Sequence, residues 1–128
     1  MKVKCRNCNI ELTHELEELT DISLLNETDG ENLVPARYFF ISDGEYFTGT
    51  KNKIIINCTD LMNSKNHSDI VRIQGCCGLA GVYGINKVCV NGHEIGIEKS
   101  DCWIAQGMMF ESELIITEEQ KQRQPNKV

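Results

Sequence analysis

Long apolar runs, prolines, aromatics and basic clusters are all scarce in this chain. No stretch approaches the roughly 20 apolar residues that a membrane-crossing helix needs. The opening Met-Lys-Val-Lys-Cys-Arg leads into no apolar run, so no secretory signal is expected and the reading is a soluble, cytoplasmic protein. Two prolines, no repeat and no low-complexity block leave nothing that reads as an interdomain linker, and the length of 128 residues fits one domain. Basic residues number 13 against 19 acidic ones, a net charge of -6, and no Lys/Arg cluster offsets it. This argues against nucleic-acid binding, which needs a concentrated positive surface.

Catalytic motifs are missing as well. His14-Glu15-Leu16-Glu17-Glu18 begins like a zinc-protease helix, but Glu18 stands where the second histidine is required. There is no His-x-Glu of the zinc deaminases and no Gly-Lys-Ser/Thr to close a phosphate loop. A Cys77 nucleophile with His93 as base has no identifiable orienting group. The chain is read as a non-enzyme.

Cysteine, by contrast, is abundant: seven residues, as Cys5-Arg-Asn-Cys8, Cys58, Cys76-Cys77, Cys89 and Cys102. In a reducing compartment a Cys-x-x-Cys followed by further cysteines points to zinc before disulfides. Zinc favours four thiolate or imidazole donors in a tetrahedron, and a Cys-x-x-Cys turn supplies two from one loop. Asn9 after Cys8, and Gly78 after Cys77, suit the left-handed backbone of such turns. Cys5 and Cys8 form the first half-site, and Cys77 and Cys89 are the preferred second half. Cys76, His93 and Cys102 are the alternatives, because Cys89-x-x-x-His93 also has acceptable ligand spacing. Adjacent residues of an extended chain point in opposite directions, so Cys76 and Cys77 are not expected on one metal. Cys58 follows an apolar strand and reads as core, as does Cys102 beside Trp103. His67 reads as an exposed loop residue.

The pattern along the chain is mainly β, a small single domain over 1–117 with one or two short helices and a polar tail over 118–128. Leu12, Leu16, Leu19 and Ser23 stand at helical spacing, with Thr20 and Asp21 against a helix and an irregular loop as the alternative. Strands are predicted at Arg37–Ser42 and Glu45–Thr50, joined as a hairpin by Asp43-Gly44. Further strands are predicted at Lys53–Cys58, Ile70–Ile73, Lys87–Val90, Glu94–Glu98 and Glu113–Thr117. Thr59 or Asp60 would cap a short turn through Asn63. Tight turns are expected through the Gly-rich stretch from Gly75 to Gly96.

The run Gly75-Cys76-Cys77-Gly78, Gly84-x-Asn86-x-x-Cys89, Gly92-x-Glu94-Ile95-Gly96 and Asp101-Cys102-Trp103, behind the Cys-x-x-Cys, resembles a set of small uncharacterised bacterial proteins. More loosely, the layout is similar to zinc-ribbon and β-tent domains, in which sheet elements are clasped by four-ligand zinc. The resemblance implies a metal site, with a zinc-clasped fold on the looser likeness, and it brings no established activity with it. Some of the proteins it resembles carry Cys-x-Cys-Gly where this chain has Cys89-Val90-Asn91-Gly92.

Between Glu11 and Glu31 lie eight acidic residues and no Lys or Arg. The plain reading is a solvated face. The functional reading is a protein-binding module with a basic partner. Its sharper form is an immunity or antitoxin protein neutralising a basic toxin nuclease through Glu11–Glu31. The competing class is a thiol-based redox enzyme or sensor using Cys5/Cys8 or Cys77.

Overall fold

A computed structural model describes residues 1–119 of the chain. The predicted tail falls outside them from residue 120 onward, while Glu118 is the last residue of a strand. The described residues form nine strands: β1 (Lys2–Cys5), β2 (Glu17–Glu18), β3 (Tyr38–Ile41), β4 (Ile54–Ile56), β5 (Ser64–Asn66), β6 (Lys87–Cys89), β7 (Glu94–Lys99), β8 (Gly107–Phe110) and β9 (Ile115–Glu118). Helical structure is limited among them to 3-10 turns of three or four residues. The fold is mainly β.

One seven-stranded sheet runs β2-β3-β4-β8-β7-β6-β5, and β1 and β9 pair as a separate antiparallel ribbon. The period-2 geometry of strands sends neighbours to opposite faces, and the register makes use of it. Phe39, Ile56 and Met108 align across β3, β4 and β8, as do Phe40, Ile55 and Met109 beside them. The first row joins Val3, Cys5, Leu12, Leu16, Cys89, Ile95, Phe110 and Ile115 in one core. The second joins Leu33, Val34 and Phe47 in a core on the other face. Each such side chain contributes about 1.5–3 kcal/mol when fully removed from water. Because both faces are covered, β8 is buried throughout and shows no polar alternation.

Several local expectations change. The segment holding Leu12, Leu16 and Leu19 is not helical, although all three are buried. Its amides reach sideways instead: Leu12 N–H to Val3 O (2.7 Å), Leu16 N–H to Met1 O (2.8 Å) and Leu19 N–H to Phe39 O (2.8 Å). Gly44 has the positive φ its turn requires, but Glu45–Thr50 does not pair with β3; β4 does. The intervening loop folds inward on buried Phe47. Thr50 Oγ1 donates to Phe47 O at 2.6 Å and shares a hydrogen bond with Ser42 Oγ at 2.7 Å. Ile70–Ile73 is a 3-10 turn and not a strand, because Asp69 caps it by accepting from Val71 N–H at 3.1 Å. The turn at Cys58–Asp60 is capped by Asn57, two or three residues earlier than expected.

Candidate metal centre

Cys5 ends β1, and the chain reverses at once. Cys5 O accepts from Asn9 N–H (2.8 Å), and Cys5 N–H donates back to Ile10 O (3.0 Å). Asn9 takes the left-handed conformation the reversal needs (φ 61°). Cys8 sits in this knuckle, half-buried, while Cys5 is wholly buried. Across the core, Cys89 ends β6 and turns into β7 through Val90-Asn91-Gly92. Gly92 N–H donates to Cys89 O (2.8 Å), and Cys89 N–H donates to His93 O (2.8 Å). Gly92 has φ 89°, the position where a Cβ is disfavoured. This turn returns His93 to the side of Cys89.

The two turns face each other. Cys5 Sγ lies 3.7 Å from His93 Nδ1, Cys89 Sγ 3.4 Å from the same nitrogen, and Cys8 Sγ 3.8 Å from Cys89 Sγ. All four donor atoms lie within 4.8 Å of one another and could hold a metal ion. Asn91 Nδ2 donates to Cys8 Sγ at 3.3 Å from just outside the set. That amide, with the Ile10 backbone N–H, holds the Cys8 thiol down at about 6, against 9.0 ordinarily. Burial pushes the Cys5 thiol up instead. In the knuckle, hydrogen bonding therefore favours the Cys8 thiolate while burial disfavours that of Cys5.

Three of the sequence-selected residues, Cys5, Cys8 and Cys89, come together here. Cys77 does not join them, and His93 stands in the fourth place. Cys77 belongs to a separate exposed group with Cys76 and Cys102, and it is disulfide-bonded to Cys102, so Cys102 is not a core thiol. Adjacent Cys76 and Cys77 thus stand in one cluster, because the chain bends at Cys76-Cys77-Gly78, in the stretch where tight turns were expected, and the opposed directions of an extended chain do not apply. The Cys89-x-x-x-His93 spacing across Asn91-Gly92 is the signal that selects His93. Nothing in the sequence marks Asn91 as a partner of Cys8.

Cys58 is half-buried, and its burial, with the negative charge of Glu98, pushes the thiol up to about 12. His67 is not a free loop side chain. Its Nε2 meets Glu94 Oε2 at 2.8 Å, and Arg72 Nη1 reaches the same oxygen at 3.0 Å. The acidic segment supplies Glu15, Glu17 and Glu18 to an open groove of about 770 Å³ along β2 and β3, which Glu119 also lines. No helix among the described residues is long and apolar enough to cross a membrane. No protein-family model, curated protein or solved structure matches the chain.

Proposed function

We propose that this protein is a small cytoplasmic β module clasped by structural zinc, acting in protein recognition and not in catalysis. The observation that carries the metal reading is the spacing of the four donors. Tetrahedral zinc, with Zn–S about 2.3 Å and Zn–N about 2.0–2.1 Å, requires S···S near ~3.8 Å and S···N near ~3.6 Å. The Cys8–Cys89 separation is 3.8 Å, and the Cys5–His93 and Cys89–His93 separations are 3.7 and 3.4 Å. Three thiolates and one imidazole form a soft set that suits zinc better than calcium or magnesium. Four protein donors leave no open position for substrate, which makes the ion a fold element. It would join the β1 knuckle to the β6–β7 hairpin, two turns more than 80 residues apart in sequence.

The recognition reading rests on charge. The groove beside β2 presents Glu17, Glu18 and Glu119, while Glu15 is ion-paired with the Met1 amine, and Glu17 and Glu18 are exposed on the strand at the sheet edge. A basic protein surface is the complementary partner. A toxin nuclease neutralised by an immunity or antitoxin protein is the class that fits best, in keeping with the bacterial resemblance. The test is binding to purified basic nuclease domains, with nuclease inhibition as a second readout. The reading expects salt-sensitive binding, lost in a Glu17→Lys/Glu18→Lys variant that keeps its melting temperature. Binding that ignores both salt and charge reversal would remove the acidic groove from the account.

A further inference from the structure

The metal centre uses three of the seven cysteines and leaves a second cluster. Cys76, Cys77 and Cys102 are all exposed, and their sulfurs lie within 4.8 Å of one another. Cys77 and Cys102 are disulfide-bonded, with Cα atoms 5.7 Å apart. Cys76 beside them is a free, exposed thiol.

The backbone beneath this trio is tied to one side chain. Asp101 is 1% exposed. Its carboxylate accepts from the N–H groups of Cys76 (3.0 Å), Cys77 (2.9 Å) and Cys102 (2.9 Å). Those amides, led by Cys77 and Cys76, hold its carboxyl down at about 2. A Cβ on Gly75 would strike the Gly78 carbonyl oxygen, and one on Gly78 would strike that of Ser100. Leu79 and Ser100 close the approach, through Ser100 N–H to Leu79 O at 2.8 Å and Leu79 N–H to Ser100 Oγ at 3.2 Å. The main chain of all three cysteines is anchored while the sulfurs face solvent. Exposure of this kind belongs to labile disulfides, and a disulfide in a reducing compartment is usually transient and redox-active.

We propose that Cys76, Cys77 and Cys102 form a thiol–disulfide exchange site, in which Cys76 exchanges with the Cys77–Cys102 bond and the site reacts with small thiols and disulfides of the glutathione class. In the internal step Cys76 gives its proton to water and its thiolate attacks Cys102 Sγ. The Cys76–Cys102 bond forms as the Cys77–Cys102 bond breaks, and Cys77 leaves as a thiolate that takes a proton from water. No net oxidation occurs. Loading from the reduced state uses glutathione disulfide. One cysteine thiolate displaces the first glutathione, forming a mixed disulfide. A second cysteine then displaces the other, so two cysteine thiols supply the two electrons that yield two reduced glutathiones.

The test equilibrates the zinc-loaded full chain in a glutathione redox buffer, quenches with acid, alkylates, and maps the linkages by fragmentation mass spectrometry. The wild type should contain both Cys77–Cys102 and Cys76–Cys102 linkages, within about tenfold of each other. Cys76→Ser should retain only the first and Cys77→Ser only the second, each forming in the same buffer. The wild-type map requires no variant to fold, and melting curves check the two that are made. A Cys77–Cys102 bond that never exchanges, with label confined to Cys76, would overturn the proposal in favour of a static disulfide. Three free thiols protected together by a bound soft metal would overturn it in favour of a second metal site.

Discussion

Replacing His93 by alanine separates the metal geometry described here from the one that pairs Cys77 with Cys89. Apparent binding free energies for structural zinc run at about 10–16 kcal/mol. Shared over four donors, one ligand is worth about 3–4 kcal/mol, or roughly 100- to 1,000-fold in affinity. Stability supplied by a ligand of the native state falls by the same amount when its affinity falls. At roughly 2.1 cal/mol/K per residue, a chain of this length loses about 4 °C of melting temperature per kcal/mol, hence about 11–15 °C. His93 is half-buried and not a core side chain, so truncation without metal should cost far less than that. The assay is competition with a chromophoric chelator, with melting curves in excess zinc and in excess chelator. His93→Ala should lose affinity and melt lower in zinc, yet match the wild type once both are chelated. Cys77→Ser should keep wild-type affinity. The opposite pattern, with His93→Ala neutral and Cys77→Ser impaired, would refute the assignment.

Further outcomes follow from groups around the two clusters. Asn91→Ala removes the amide that donates to Cys8 Sγ; the metal-free Cys8 thiol should rise above about 6, seen as thiolate absorbance against pH, and metal affinity should fall by about 10–100-fold. Cys58, with its thiol at about 12 in the fold against 9.0 ordinarily, should resist alkylation in the native protein. It also adds stability that is present below pH 9 and lost as pH rises from there toward 12. Asp101 has its carboxyl lowered from 3.8 to about 2, so its contribution is present above 3.8 and lost as pH falls through the interval to 2. Amide resonances of Cys76, Cys77 and Cys102 should shift together across that interval, and Asp101→Asn should abolish the joint transition.

The β class was legible because β-branched and aromatic runs at Tyr38–Ile41 and Ile54–Ile56 have few other homes. Gly107–Phe110 was not, since a central strand buried on both faces carries no alternation to find. Leu12, Leu16 and Leu19 mimic helical spacing although the backbone is spent on lateral hydrogen bonds to Val3, Met1 and Phe39. Local spacing cannot reveal such long-range pairing. The same limit shaped the site. Cys5, Cys8 and Cys89 advertise themselves as thiols, while the choice between Cys77 and His93 depends on how Gly92 turns the hairpin. The bend at Gly75–Gly78, set by Asp101 far along the chain, carries Cys77 to Cys102. His67 looked exposed because its partner Glu94 is 27 residues away.

The most direct test of the central claim is X-ray absorption at the zinc edge on the purified protein, calibrated by metal content per chain. The account predicts one zinc surrounded by three sulfurs at about 2.3 Å and one nitrogen at about 2.0 Å, unchanged in Cys77→Ser. A four-sulfur shell, or protein that folds fully with no metal at all, would contradict it.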